Sequence, residues 1–416
     1  MEGKVSIRSQ LNGHGKHGNG ERKKPWVLMV GFIDQLAITM SQQGLSILSE
    51  AFKHYANLGI AQMGVLFSIV ALGAVAGMIP SGIVLARYGP KIVAWVSGVG
   101  IVGIMGVLAW LLPRDFAPLI ILLGLVGFFL PALSLTGTAA ITRVYEGRKN
   151  RGSAIGLRQA ATPLGGIVAA GLLPLLLRKW NLKIVLGLIA VNVGVWRFFF
   201  AWLLPSPPRN PSNSQAHNAM DLNCQRIRQT VLALRIPLLI SLLLSPGQYA
   251  LLTYAILDLQ ARWRVSIIVA GGVIALALFA GFAARIGAGL LSDHKMSVLR
   301  SFRLVILTGV MSLLVWTTIP DFMPFWVVLP VFIGLGAGLD GWNGLLTAWV
   351  TECSTSVERG MALALTGMAG FIGIGLFLPV FGEIAKFFAS YRPAWALLGL
   401  FYLVGLIIIV KSQGSN

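Results

Sequence analysis

Five ionisable side chains fall inside long apolar runs: Asp34, Arg158, Arg197, Arg285 and Asp340. A charge held in hydrocarbon costs several kcal/mol unless it pairs or faces water, so each is a candidate for solute or ion handling. Arg158 and Gln159 lie in RGSAIGLRQAATPLGG, from Arg151 to Gly166. On a helix Arg158 shares a face with Ala161, Thr162 and Gly165, which leaves room for a partner. That room suits either an anionic or accepting group of a solute, or a fixed ion pair with Asp34. Asp34, Ser41 and Gln42 stand at i, i+7 and i+8, and with Gln35 they make one helix polar over more than two turns. Such a face lines a water-filled cavity or bonds neighbouring helices. Asp340, Asn343 and Thr347 share another face beside Trp342. There Asp340, like Asp34, is either a proton carrier or the partner of an arginine such as Arg285. Ser245-Pro246-Gly247 precedes Gln248, Tyr249 and Tyr254. A helix broken at that point would free backbone groups for a solute, whereas a plain kink would not. Arg197, in WRFFFAW, is expected to snorkel to the headgroups. Arg285, two turns before the inner end of its segment, is expected to organise a gate.

The elements that position these groups are apolar throughout. Hydrophobic residues make up 56% of the 416, charged residues 11%, and mean hydropathy is +0.79. Soluble domains carry about 25% charged residues, so the composition is that of a polytopic, all-α membrane protein. Twelve segments approach the roughly 20 residues needed to span a bilayer. They start near residues 26, 59, 91, 116, 152 and 182, then 236, 266, 303, 325, 360 and 394. The organisation is a basic tail (1–25), an N-terminal six-helix bundle (26–204), a Pro- and Ser-containing linker (205–235), a C-terminal six-helix bundle (236–411) and a short tail (412–416).

The net charge of +19 does not indicate nucleic acid, because Lys and Arg sit in short connections between apolar runs. With the N-terminus inside, 21 basic residues fall on the cytoplasmic side and 9 on the other. Both termini are therefore expected in the cytoplasm and the chain in a cell (inner) membrane. No cleavable signal is evident. Cys224 and Cys353 have no metal-type spacing, and the five histidines form no HExxH pattern. No phosphate-binding loop of the G-x-x-x-x-G-K-[ST] type occurs either. Neither catalytic residues, cofactor nor metal is expected.

A half-length repeat supports two related halves. Arg151, Gly152, Ala154, Leu157, Ala161 and Gly165 match Arg359, Gly360, Ala362, Leu365, Ala369 and Gly373 at an offset of 208 residues. Thr366 occupies the position of Arg158 in the second copy.

Two further stretches carry a resemblance. Gly82 to Lys91 includes Ala86, Arg87 and Gly89; Gly289 to Lys295 includes Asp293 and His294. Both resemble the Gly-x-x-x-Asp-Arg-x-Gly-Arg-Arg loop of the major facilitator superfamily, at matching places in the two halves. Ala86 departs from the family's Asp. Thr162-Pro163-Leu164-Gly165-Gly166 is similar to the Gly-Pro-x-x-Gly-Gly element of the family's antiporters, but one residue shorter and without its first Gly. The resemblance implies two bundles rocking about a central site. Segments 1, 4, 7 and 10 would line the cavity, and segments 2, 5, 8 and 11 would meet at the bundle interface. It also implies a cytoplasmic gate at Gly82, Arg87, Gly89, Lys91, Arg285, Gly289 and Asp293.

Together these readings describe a monomeric secondary active transporter of a small solute, with proton-coupled uptake of an organic anion as the leading case. The solute contacts are Arg158, Gln159, Gln35, Gln42, Gln248, Tyr249, Tyr254, Trp342 and Asn343, with Asp34 and Asp340 for the proton. Efflux of amphipathic compounds is the alternative.

Overall fold

A computed structural model describes residues 18–145, 151–204, 224–294, 296–354 and 359–412. Among the described residues every element is an α-helix, apart from a short 3-10 turn at Phe325–Val327. The helices are α1 (Gly18–Ile47), α2 (Ser49–Tyr55), α3 (Ile60–Leu111), α4 (Phe116–Val144), α5 (Arg151–Lys179), α6 (Leu182–Leu203) and α7 (Cys224–Ala233). They continue with α8 (Arg235–Trp263), α9 (Ile267–His294), α10 (Val298–Thr318), α11 (Val328–Asp340), α12 (Asn343–Glu352), α13 (Arg359–Phe387) and α14 (Arg392–Ser412). Residues 1–17 of the tail expected at 1–25, residues 413–416 of the one expected at 412–416, and most of the linker (205–223) lie outside the described residues.

Ten stretches among the described residues are long and apolar enough to cross a membrane. One of them, α3, runs 52 residues. Straight, it would reach about 78 Å, against roughly 30 Å of hydrocarbon. Gly89 departs from helical geometry at φ 75°, ψ 172° just before Pro90, so α3 bends there into two spans. Where a loop is expected between the second and third segments, one glycine makes the turn, in a conformation that costs a side-chain-bearing residue strain. α1 is long enough to span, but Asp34 and its glutamines lower its hydropathy. With it, and with α11 and α12 counted as one span, twelve crossings result.

The break in a transmembrane helix is not at Pro246. α8 continues through that residue, whose missing N–H leaves the Leu242 carbonyl without its helical donor. Gly373 of α13 packs against this carbonyl. The interruption falls instead at Gly341-Trp342, between α11 and α12. Side chains serve the carbonyls there: Trp342 Nε1 donates to Leu339 O at 2.8 Å, and Arg285 Nε to Asp340 O at 2.9 Å.

Within the first half, α3 packs on α4 and α6, and α1 on α5; within the second, α9 packs on α11, α13 on α8, and α10 on α14. The repeat has a packing reason. A Cβ on Gly165 would lie 2.6 Å from the Leu36 carbonyl of α1, and one on Gly373 would collide with the Leu242 carbonyl of α8. Each copy's glycine thus lets its helix touch the first helix of its own half. The halves meet where α3 faces α13 and α5 faces α9.

Candidate functional site: a polar cavity between the two halves

Between the halves lies a cavity of about 310 Å³. Gln42 and Gln43 reach it from α1, and Gln159 and Thr162 from α5. Ser241, Ser245, Gln248 and Tyr249 come from α8, Asn343 and Thr347 from α12, and Thr366 from α13. The charged lining side chain is Arg285 of α9, and Leu346, Leu363, Phe371 and Ile374 form an apolar wall. Five carboxamides can each donate and accept, so the cavity can bond a polar solute in several orientations. Gln42 Nε2 donates to the Tyr249 hydroxyl at 2.6 Å, across the halves. Asn343 Nδ2 donates to Gln248 Oε1 at 3.3 Å.

Arg285 is the electrostatic feature of the cavity. Its Nη2 contacts Asp340 Oδ1 at 2.6 Å, and its side chain is 19% exposed against 1% for the acid. Asp340 Oδ2 is buried without a hydrogen-bond partner among the described residues.

A second ion pair lies away from the cavity. Arg197 Nη1 donates to Asp34 Oδ2 at 3.0 Å and to Leu133 O, while Nη2 donates to Ser97 Oγ at 2.9 Å and to Ala132 O. Both side chains are fully buried. Arg197 therefore does not snorkel: its partners lie on α1, α3 and α4 in the bundle interior, two turns from the end of α6. Nor does Asp34 pair with Arg158, which donates from Nη1 to Thr138 Oγ1 of α4 at 3.0 Å.

The cavity reaches toward the ends of α5, α8, α12 and α13 that adjoin the linker, residues 146–150 and residues 355–358. The opposite end is shut. Ser49 Oγ donates to Thr253 O at 2.8 Å, and Gln260 Nε2 to Glu50 Oε1 at 2.6 Å. Beside them Gly64 of α3 sits against the Leu378 carbonyl and the Tyr254 hydroxyl.

The sequence profile described as Major Facilitator Superfamily matches residues 27–351, more than three quarters of the chain. The chain belongs to the Major Facilitator Superfamily. Two uncharacterized MFS-type transporters of Mycobacterium tuberculosis (strains CDC 1551 / Oshkosh and ATCC 25618 / H37Rv) are 27% and 26% identical over 264 residues. That match covers 63% of this chain and 57% of each relative's length. Among solved structures, the inward-open xylose transporter XylE from E. coli superposes with TM-score 0.75 at 15% identity, covering 93% of this chain and 96% of that one. The nucleoside transporter NupG gives 0.72 at 14%, covering 94% and 98%. At these identities the likeness concerns the superfamily fold.

Within this superfamily fold, five of the nine residues singled out as solute contacts line the cavity: Gln42, Gln159, Gln248, Tyr249 and Asn343. The other four are placed elsewhere. Gln35 is buried and donates to Thr39 and Thr162. Arg158 points to α4, and Trp342 braces the α11–α12 break. Tyr254 is buried toward the shut end, donating to Leu378 O at 2.9 Å and stacking on Phe381. Of the gate set, Arg285 belongs to the cavity lining. Arg87 is exposed with its guanidinium over the Tyr88 ring, and Lys91 is half-buried. Gly82 and Gly289 face open space, Gly89 is the bend in α3, and the side chain of Asp293 lies outside the described residues. Gln43, Thr162, Ser241, Ser245, Thr347 and Thr366 also line the cavity but were not among those nine, although Thr347 shares the face read for Asn343. Ser241, Ser245 and Gln248 stand at i, i+4 and i+7, a polar stripe that was there to be read. Segment 4 contributes nothing to the lining, whereas segments 5, 8 and 11 do.

Proposed function

We propose that this protein is a secondary active transporter that moves a small organic anion together with a proton by alternating access. The observation that carries the reading is the Arg285–Asp340 pair at the cavity edge. A carboxylate or similar group of the solute competes with Asp340 for the partly exposed guanidinium of Arg285. Asp340, left without its full counter-charge in a buried position, takes a proton on Oδ2, the oxygen that lacks a partner. One anion and one proton then cross together without net charge. The return step re-forms the ion pair and releases the proton. Arg285 takes the role that the sequence gave to Arg158, because Arg158 faces away from the cavity. The surrounding carboxamides and hydroxyls hold the remainder of the solute. With both termini in the cytoplasm, as the distribution of basic residues supports, the cavity faces the cytoplasm.

The apolar wall with Phe371 favours a second reading, export of amphipathic compounds in exchange for protons. Transport into and out of proteoliposomes, with and without an imposed pH gradient, separates the two. Symport predicts that radiolabelled organic acids accumulate only when the gradient drives protons the same way. Accumulation driven by the opposite gradient establishes exchange, and indifference to pH removes Asp340 from coupling.

A further inference from the structure

The half-length repeat continues at the shut end, in residues that the cavity does not use. Glu50 and His54 of α2 stand at i, i+4, with His54 Nε2 3.7 Å from Glu50 Oε1. At an offset of 208 residues stand Asp258 and Arg262 of α8, with Arg262 Nη1 3.8 Å from Asp258 Oδ2. Each half thus ends its shut side with an acid followed one turn later by a base. The two acids have different partners. Asp258 is fully buried and accepts from two indoles of its own half, Trp316 Nε1 at 3.0 Å and Trp395 Nε1 at 2.9 Å. Its i+4 partner Arg262 is pinned by Asp321, Trp316 O and Ile319 O, and its guanidinium lies against both rings of the stacked Trp263–Trp316 pair. The outer end of α8 is therefore fastened to α10 and α14. Among the described residues Glu50 has no comparable anchor in its own half: its Oε1 accepts from Gln260 of the other half, and its Oε2 is buried without a partner.

We propose that Glu50–Gln260 is the latch that holds this end shut, with Asp258 and its two tryptophans as the fixed post to which the latch is fastened. The inference rests on the alternating-access reading above. A hydrogen bond to a carboxylate is roughly twice as strong as a neutral one. It lies between halves that touch here also at Ser49–Thr253 and at Gly64, and it has to break for this end to open. His54, whose side chain is 77% exposed, approaches the same oxygen as Gln260 from the solvent side. The base that reaches Asp258 in the same way, Arg262, is itself buried and held by Asp321 and two backbone carbonyls.

The test measures the gap itself, so no solute has to be known. Spin labels at Gly59→Cys and Ala261→Cys, in full-length protein with Cys224 and Cys353 replaced by Ser, report the distance across the shut end in nanodiscs. Glu50→Ala and Gln260→Ala are each expected to raise the ratio of long to short distances about tenfold. The double variant should go no further than either single one, and Glu50→Gln should stay nearer the parent. Gly64→Ala is the control: its Cβ would collide with the Leu378 carbonyl, so it should open this end whatever the latch does. If Gly64→Ala lengthens the distance and neither latch variant does, the latch is wrong while alternating access stands. If no variant populates a longer distance, the alternating-access reading falls, and the latch with it. Should Gln260→Ala, which leaves the Glu50 carboxylate without its donor, fail to fold, Glu50→Ala, which removes that charge, decides.

Discussion

Two of the arginine–carboxylate pairs, Arg197–Asp34 and Arg285–Asp340, have the same chemistry and opposite settings. Arg197–Asp34 is sealed inside the first half, with three further oxygens around the guanidinium. Arg285–Asp340 borders the cavity, and its arginine is partly exposed. A sealed pair is closed to a solute as it stands, and its contacts tie α1, α3, α4 and α6 together. A pair at a cavity edge can exchange, because water or solute reaches one member. Position relative to the cavity separates scaffold from candidate machinery, where residue type does not.

The sharpest way to break this contrast is Arg197→Ala. It strands the Asp34 carboxylate and should cost about 3–5 kcal/mol, read as a large loss of folded protein and unfolding temperature in detergent. Replacing both members, Asp34→Asn with Arg197→Gln, should recover much of that loss. Equal damage from the double variant would mean that the packing of the arginine matters and its charge does not. Arg285→Gln should behave differently, lowering transport about tenfold or more with a smaller fall in unfolding temperature. An unfolding loss matching that of Arg197→Ala would erase the distinction drawn here. Next come the neutral lining residues: Thr366→Val and Gln43→Ala should weaken apparent solute affinity roughly two- to tenfold, with unfolding temperature unchanged.

The smallest effect belongs to an ion pair outside the membrane. Partial burial pushes the Asp321 carboxyl up, but the hydrogen bond and charge of Arg262, then those of Arg392, hold it below its ordinary value. A lowered folded-state value contributes stability at neutral pH that is lost as pH falls below about 4. Comparing unfolding temperatures at pH 3 and pH 7, Asp321→Asn should show a slightly shallower drop than the parent. An unchanged drop would leave this exposed network without a part in acid stability.

Much of the architecture was legible because hydrocarbon imposes it: apolar runs of the right length, basic connections and a repeat at half the chain. The carboxamide positions on α1, α8 and α12 were legible too, since a polar stripe on an apolar helix shows in the spacing. Partner choice was not. Arg197 and Asp34 are 163 residues apart in sequence, and the aromatics around Arg197 read like a membrane interface. Arg158 and its counterpart Thr366 illustrate the same limit. The charge drew attention as a solute contact, yet the threonine reaches the cavity and the arginine turns to α4. The helix break was also misplaced, because Pro246 advertises a lost hydrogen bond in sequence. The carbonyls served by Arg285 and Trp342 at Gly341 become visible only once the helices are packed.

The bend in α3 has a consequence for how the chain can be cut. Arg87 and Lys91 flank Gly89 and offer two trypsin sites in sequence. Yet the backbone on both sides of Gly89 is helical, and one residue alone leaves the helix. A protease must draw several extended residues into its cleft, and none are on offer between these two spans. Trypsin added to the folded protein should therefore spare this connection.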